Sequence, residues 1–333
     1  MNLNVKIETS GQSLFLSIFM DRDQGSIHLP SLIHPQTIHG ENWKERSNIL
    51  DYQHRVNACY YQKYLTPNYI IHREIPLRDD LTITVVRDDV FCGGTKQRAF
   101  LASFYERSEY EEFIYVSSWY GGCQVALASA VDILNSTPNE HGVLPRKKYS
   151  ATIFTPTTDH PRAHTFVTQS LGAKIIYCNA PEQAALAYEK QSSKRCILNN
   201  GFRYVLFLSK NNHTSLRSSI VIKEIANFAR SLKEFREVQE NREKFDECWC
   251  AVGSGTLLTA LQEADLAKEY HGVCVYGTSP EIGNAIAHFP EFPFEDPAPE
   301  DEIPPYPSAT RYDSKVWDFV KDSTGNILVW NVM

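Results

Sequence analysis

The sequence contains no apolar run close to the length of about 20 residues that a membrane-spanning helix needs. Among its 333 residues the acidic side chains outnumber the basic ones, and the formal net charge is −7. This balance gives no general attraction to nucleic acid or to an anionic membrane surface, so neither is an expected partner. The N-terminal stretch has no basic start and no small-residue cleavage site, and we therefore expect no signal peptide.

Cysteine is sparse and is arranged neither for metal binding nor for a disulfide framework. Eight cysteines are scattered through the chain, and the only close pair, Cys248 and Cys250, is separated by one residue in an apolar run. The histidines of the first 80 residues likewise lack the spacing of metal ligands. These patterns favour reduced, buried thiols in a cytoplasmic protein over disulfides or a zinc site, and no metal is expected.

Short apolar runs alternate with helical patterns along most of the chain. Apolar residues make up 42% of it, enough for one large domain or two ordinary ones. Strands are predicted at 5–9, 13–19, 83–86, 113–116, 151–156, 174–178, 204–208, 248–252, 273–276 and 327–332, with helices between most of the later ones. This alternation favours an α/β fold with a mostly parallel sheet. Residues 289–307, which are rich in proline and acid, are predicted to form a loop.

The stretch from 85 to 101 has the pattern of a strand, a tight turn and a helix. An apolar run ends at Val86, the pair Gly93 and Gly94 permits a turn closed to other residues, and a helical pattern begins at Gln97. Lys96 stands between the turn and the helix. Partial burial and a positive helix end would both disfavour its ammonium form, as a Schiff-base lysine requires. An ordinary exposed lysine on a turn is the alternative interpretation.

A second turn combines hydroxyl groups with glycine before a helix. Ser117 and Ser118 follow a predicted strand, and Gly121 and Gly122 precede a helical pattern. The free N–H groups and the positive end of such a helix would suit a carboxylate. An ordinary connection between strand and helix fits the same residues.

A third turn, Gly253-Ser254-Gly255-Thr256, follows the buried run at 248–252 and precedes another helical pattern. Its backbone N–H groups and hydroxyls would cradle a phosphate. The turn has neither the lysine of a P-loop nor the third glycine of a dinucleotide-binding motif, so ATP and NAD are poorly supported.

The order of these segments resembles that of the fold-type II pyridoxal-phosphate (PLP) enzymes, the tryptophan synthase β-like superfamily. Within it, the chain is most similar to the branch of 1-aminocyclopropane-1-carboxylate (ACC) deaminase and D-cysteine desulfhydrase. The matching features are a GG-x-K-x-R segment at 93–98, a strand–helix–strand at 151–178, the GSGT turn and RYDSK at 311–315. The likeness covers roughly residues 75–333. It departs from the family pattern at Trp119 and Tyr120, where the family usually has asparagine. It also departs in the phosphate loop, since GSGT at 253–256 has one glycine fewer than the family's usual loop.

The resemblance implies two open, twisted, mostly parallel sheets with helices on both faces. It implies a large PLP-binding domain formed by residues 1–100 and 211–333, and a small inserted α/β domain formed by residues 101–210. It also implies a homodimer.

The resemblance further assigns roles to individual residues. Lys96 would hold PLP as a Schiff base, the turn formed by Gly253, Ser254, Gly255 and Thr256 would hold its phosphate, and Asp313 would face its pyridine nitrogen. Tyr312 and Ser117 would be catalytic, with Tyr312 acting as an acid–base group. The substrate would meet Ser117, Ser118, Trp119, Tyr120, Gly121 and Gly122, of which Tyr120 would also lie beside the cofactor.

The function implied is that of a cytoplasmic PLP-dependent lyase or deaminase. It would act on a small amino acid or an amino-acid-like group through a carbanion, or quinonoid, intermediate. One alternative is a non-catalytic protein of the same fold that binds PLP or another anionic ligand. Another is an unrelated α/β enzyme with a nucleotide ligand.

Overall fold

The computed structural model describes most of the chain from residue 72 onward and short parts before it. The described residues are 4–10, 13–19, 27–28, 43–44, 46–47, 50–51, 58, 72–105, 107, 109–118, 121–137, 148–158, 163–198, 215–277 and 280–332. None of the helices in this part of the chain is long and apolar enough to cross a membrane.

The described strands are β1 (Asn4–Ser10), β2 (Ser13–Phe19), β3 (Ile27–His28), β4 (His72–Arg78), β5 (Leu81–Arg87), β6 (Glu112–Val116), β7 (Ser150–Pro156), β8 (Lys174–Cys178), β9 (Arg195–Leu198), β10 (Phe245–Val252), β11 (Ala267–Cys274), β12 (Ile286–His288) and β13 (Gly325–Asn331). The described α-helices are α1 (Gly94–Tyr105), α2 (Gly122–Ser136), α3 (Ala163–Ser170), α4 (Pro181–Glu189), α5 (Ser215–Glu234), α6 (Thr256–Ala264) and α7 (Trp317–Val320).

The larger sheet has six strands in the order β12-β11-β10-β13-β5-β4. All neighbouring pairs are parallel except β4 with β5. Its central strand β10 is apolar on both sides, since Cys248 and Cys250 pack under α5 and α6 while Trp249 and Ala251 pack on the opposite face with α7. Burial on both faces is the reason these strands are continuous apolar runs in the sequence.

A second sheet has four parallel strands in the order β8-β7-β6-β9. Its strands all come from residues 112–198, which lie in the sequence between β5 and β10 of the larger sheet. Its apolar side chains also pack on both faces, with α1 and α2 on one and α4 on the other. The two mostly parallel sheets covered by helices confirm the predicted fold class. The domain boundaries at 100 and 211 stay a prediction.

Strands β1, β2 and β3 form a separate antiparallel sheet, which confirms the two early strand predictions. Near the end of the larger sheet, the predicted strand at 273–276 is partly wrong. Strand β11 starts at Ala267 and stops at Cys274, and its first half was missed because the exposed Lys268 and Glu269 give it no apolar pattern, although this half pairs along β10. Strands β3, β4, β9 and β12 were not predicted, and the predicted strand at 204–208 lies outside the described residues.

The prediction that all eight cysteines are reduced is wrong for Cys92, which is disulfide-bonded in this structure. The sequence gives no sign of this pairing because disulfide formation depends on which chain segments meet in space. Six of the cysteines that the structure describes are free thiols: Cys123, Cys178, Cys196, Cys248, Cys250 and Cys274.

Candidate active site

The topology of the larger sheet brings distant parts of the sequence to one edge. Strands β5, β13 and β10 are parallel neighbours, with Val85 opposite Val329 and Val329 opposite Trp249. Their carboxyl ends therefore lie side by side, and the segments that follow them meet there. The crevice outside these carboxyl ends is where ligands bind in open α/β sheets.

The first of these segments carries Lys96. Gly94 has φ +60° and starts α1, so Lys96 lies in the first turn of the helix and is half-buried. A Cβ atom at Gly93 would lie 2.3 Å from the Cα atom of Ala126 in α2, which only glycine avoids. The predicted turn is thus required by the close approach of two helices, and that approach fixes where Lys96 emerges.

The buried carboxylate of Asp88 forms hydrogen bonds with the same turn and the start of α1. Asp88 accepts hydrogen bonds from the hydroxyl of Thr95 at 2.7 Å, from the guanidinium of Arg98 at 2.9 and 3.0 Å, and from the indole N–H of Trp330 at 3.1 Å. Asp88 and Arg98 are almost fully buried. Because Thr95 and Arg98 flank Lys96 along the chain, these bonds restrain the backbone that carries the lysine.

The second segment is the turn at 253–256, which follows β10. Gly255 has φ +80° and is the N-cap residue of α6, so no side chain there can accept from the N–H groups of the first helical turn. The hydroxyls of Ser254 and Thr256 lie 3.0 Å apart. Backbone N–H groups, the positive helix end and two hydroxyls form the donor set expected of a phosphate site.

The two segments line one pocket. Among the residues described as lining it, Lys96 is the only one with a charged side chain, so the pocket favours an anionic ligand. Apolar side chains from α1, α5 and α6 form much of the wall. The lining residues are Thr95, Lys96, Ala99, Ile225, Ala251, Val252, Gly253, Ser254, Gly255, Thr256, Leu257, Leu258, Tyr312 and Val332.

Tyr312 lies between the two segments. Its ring centroid is 6.0 Å from the Nζ atom of Lys96, and a Cβ atom at Gly253 would lie 3.0 Å from its hydroxyl oxygen. Burial raises the pKa of Tyr312 well above its ordinary value, and nearby Tyr276 and Asp313 act in the same direction. Its hydroxyl therefore stays protonated near neutral pH, where it can donate a hydrogen bond, or a proton to a strongly basic group.

Asp313 is buried but is not among the lining residues. Its Oδ1 atom accepts a hydrogen bond from the backbone N–H of Val332 at 3.2 Å. Val332 lines the pocket, so the carboxylate of Asp313 contacts a lining residue without being one itself.

The described residues of the turn at 117–122, which are Ser117, Ser118, Gly121 and Gly122, are also not among the lining residues. The Ser117 hydroxyl is directed into the turn, where it donates to the carbonyl of Ser118 at 2.8 Å. Gly121 is the N-cap residue of α2, and its N–H donates to the same carbonyl at 3.0 Å. The thiol of Cys123, in the first turn of α2, contributes to the raised pKa of Tyr312, which places this helix start near the tyrosine. Trp119 and Tyr120 lie outside the described residues.

Sequence reasoning missed one aromatic residue at the pocket. Tyr276 is 47% exposed, and its Cε2 atom would lie 3.1 Å from a Cβ atom at Gly253. Its ring packs at 4.5 Å from that of Phe294 in the proline-rich loop. Tyr276 follows β11, the parallel neighbour of β10, whereas the predicted strand at 273–276 included Tyr276 and so hid its position beyond the strand.

No protein-family model matches the chain, and a search of curated proteins finds no match. Solved structures do match. An ACC deaminase homologue has a TM-score of 0.52 at 14% identity, over 75% of this chain and 83% of its own. The diaminopropionate ammonia lyase of Escherichia coli has a TM-score of 0.51 at 12% identity, over 84% and 87%. A hydrogen sulfide-producing enzyme of Fusobacterium nucleatum has 0.51 at 11% identity, over 82% and 88%.

At these identities the likeness establishes the fold and leaves the activity to be argued from the site. The structure confirms the fold implied by the GG-x-K-x-R, GSGT and RYDSK segments. This chain has the fold of the fold-type II pyridoxal-phosphate enzymes.

Proposed function

We propose that the chain is a PLP-dependent lyase or deaminase that acts on a small amino acid or an amino-acid-like group. The observation that carries the proposal is the meeting of Lys96 and the turn at 253–256 in one pocket. An amine and a phosphate-type donor set are the two groups that an aldehyde cofactor with a phosphate tail needs. Structures of this fold include an ACC deaminase homologue and an ammonia lyase, which supports this class of reaction.

The residues present fit such a cofactor. The amine of Lys96 would bind its aldehyde carbon, and the hydroxyls of Ser254 and Thr256 with the α6 N-terminus would bind its phosphate. Asp313 is the nearby carboxylate that would favour a protonated pyridine nitrogen. When bound, PLP supplies an electron sink for negative charge on a substrate carbon.

The chain's own groups can move the protons of such a reaction. A buried, protonated Tyr312 can donate a proton to a leaving group or a substrate carbon. The Nζ atom of Lys96, once free of other bonds, can accept one. The apolar walls formed by Ala99, Ile225 and Leu257 exclude water and strengthen the electrostatic interactions inside the pocket.

The turn at 117–122 would bind the substrate carboxylate, with Ser117 and Ser118 supplying hydroxyls and Gly121 and Gly122 leading into α2. Trp119 and Tyr120 would offer aromatic rings on this side, which makes an aromatic amino-acid-like substrate one class to test. The proposal includes a homodimer and a cytoplasmic location, as implied by the resemblance. Light scattering tests the dimer, and a monomeric mass would contradict it.

A turnover screen tests the activity. The purified protein is incubated with PLP and with amino acids or amino-acid-bearing nucleotides, and release of ammonia, sulfide or a keto acid is measured. We expect turnover of at least one substrate, its loss in Lys96→Ala, and its retention in Lys190→Ala, which changes an exposed lysine. A protein that binds PLP but turns over none of these substrates would instead be the non-catalytic alternative.

A further inference from the structure

A short helical segment near the N-terminus contacts the far end of the chain. We call its described residues, Trp43, Lys44, Arg46, Ser47, Leu50 and Asp51, the strap. In the described part of the chain, Trp43, Lys44, Arg46 and Asp51 each contact a residue between 296 and 311. The strap therefore binds the part of the chain that leads into Tyr312.

Asp51 makes the contacts nearest to the candidate active site. Its Oδ1 atom accepts from the backbone N–H of Thr310 at 3.0 Å, and its Oδ2 atom accepts from the Thr310 hydroxyl at 3.0 Å. A third group, the guanidinium of Arg311, lies 3.6 Å from Oδ2. Thr310 is 2% exposed and the Asp51 side chain 20%, so these bonds are partly shielded from water. Charge-assisted hydrogen bonds of this kind are among the stronger ones in proteins.

Trp43 holds the other side of the same loop. Its indole N–H donates to the carbonyl of Ala298 at 2.7 Å. The N–H of Ala298 in turn donates to the carbonyl of Thr310 at 2.8 Å, which closes the loop between these two residues. Trp43 and Asp51 thus bind the first and the last residue of this loop, Ala298 and Thr310.

The bonds continue from Thr310 to the pocket. The carbonyl of Ala309 accepts from the N–H groups of Tyr312 at 3.0 Å and Ser314 at 3.0 Å. This tight turn sets the direction in which the Tyr312 ring leaves the backbone, toward Lys96 and Gly253. A shift of Thr310 would therefore be transmitted over two residues to the tyrosine.

The remaining strap contacts are weaker. The ion pair of Lys44 with Asp296 is largely exposed, and exposed pairs contribute little. Arg46 pairs with Glu300 at 2.5 Å, also partly exposed and remote from Thr310. These pairs hold the strap on the surface but do not touch the turn before Tyr312.

We propose that Asp51 is a positioning residue, which sets Tyr312 in the pocket by holding Thr310 through two hydrogen bonds. The inference rests on the proposed function for its effect on turnover, while its effect on the geometry of Tyr312 stands independently. It assigns a role to an N-terminal segment in which the sequence carries no chemistry of its own.

The variants differ in how many acceptors remain. Asp51→Ala removes both acceptors, Asp51→Asn keeps one carbonyl oxygen for the Thr310 N–H, and Thr310→Val removes only the hydroxyl. Lys44→Ala is the control, because it changes the strap at an exposed pair. Should Asp51→Ala fail to fold, Asp51→Asn and Thr310→Val carry the test.

Hydrogen exchange and nitration test the geometry without any cofactor. In Asp51→Ala we expect the amides of Thr310 and Tyr312 to exchange roughly tenfold faster, as the loss of about one net hydrogen bond predicts. Tyr312 should also be nitrated faster by tetranitromethane, as followed by peptide mass spectrometry. The proposal is supported if both rates rise most in Asp51→Ala, rise less in Asp51→Asn and Thr310→Val, and stay at the wild-type value in Lys44→Ala. Unchanged exchange and nitration in Asp51→Ala would overturn it.

Turnover separates positioning from mere stability. With the first amino acid that wild type converts in the presence of PLP, we expect kcat to fall about tenfold in Asp51→Ala while Kd for PLP changes less than twofold. Partial recovery of kcat in Asp51→Asn supports positioning, whereas loss of PLP affinity with unchanged kcat would contradict it. If wild type converts no substrate, the proposed function fails, and the exchange and nitration results still decide the role of Asp51.

Discussion

The guanidinium of Arg98 and the carboxylate of Asp88 form a buried ion pair with a distance of 2.9 Å, two residues beyond Lys96 along the chain. The pair joins the end of β5 to the first turns of α1. Trp330 of β13 donates to the same carboxylate, so the pair also couples the lysine-bearing turn to the neighbouring strand. The position of Lys96 thus depends on a charge pair inside the protein, with Lys96 half-buried at the pocket wall.

Loss of the Asp88 charge should destabilise the fold strongly. Asp88→Asn leaves the buried guanidinium of Arg98 without a counter-charge, and breaking a buried pair in this way costs about 3–5 kcal/mol. The free energy of unfolding, measured by urea denaturation, should fall by that amount. Asp80→Asn, at an exposed pair with Arg78, should change it by less than about 1 kcal/mol. Equal effects of the two substitutions would contradict the account.

Gly93→Ala should damage both stability and the position of Lys96. The new methyl group would lie 2.3 Å from the Cα atom of Ala126, so α1 or α2 must shift. Overpacking of this kind costs about 1–3 kcal/mol. Gly172→Ala is the matched control, because a methyl group there meets open space and only the φ of +84° is strained, at about 1–2 kcal/mol. Only Gly93→Ala should also weaken PLP binding, measured by absorbance.

Two neighbouring, partly buried histidines should make the fold sensitive to acid. Burial lowers the pKa of both His271 and His288, whose Nδ1 and Nε2 atoms lie 3.1 Å apart beside Trp249. The unfolded chain then binds protons more readily, with an ordinary histidine pKa of about 6.5. Stability is therefore full above about pH 6.5 and is lost as the pH falls toward the lowered folded-state values.

Urea denaturation at several pH values checks this prediction. The unfolding midpoint should fall from pH 7.5 to pH 5.5, and the fall should be smaller in His288→Phe, which keeps a ring and removes one titrating group. The carboxylates of Glu247 and Glu269 partly oppose the effect of burial on His271, so the fall should grow if both are changed to glutamine. A midpoint independent of pH would contradict the assignment.

Sequence reasoning was most successful where local chemistry decides the structure. Apolar runs located the buried strands, and Gly172, with φ +84°, follows the end of α3, where glycine is the usual residue. The Gly93–Gly94 and 253–256 turns were found because glycine permits backbone angles that other residues avoid. That these two turns meet in one pocket was implied by the resemblance to the family. The physical reason, the adjacency of β5, β13 and β10, is visible only in the structure.

Features that depend on distant partners could not be predicted. Asp88 and Trp330 are far apart in the sequence, and nothing in either neighbourhood indicates the other. The short strands β9 and β12 have four and three residues, and they form because a neighbouring strand is already in place. The contact of Asp51 with Thr310 joins residues that are 259 positions apart in the sequence, so only the folded structure reveals it.

The most direct test of the central claim identifies the lysine that bonds to the cofactor. PLP is added, the imine is reduced with borohydride, and the modified peptide is located by mass spectrometry. We predict stoichiometric labelling at Lys96, weakened by Ser254→Ala and by use of pyridoxal, which has no phosphate for the turn at 253–256. Labelling spread over exposed lysines, or equal labelling by pyridoxal and PLP, would contradict the account.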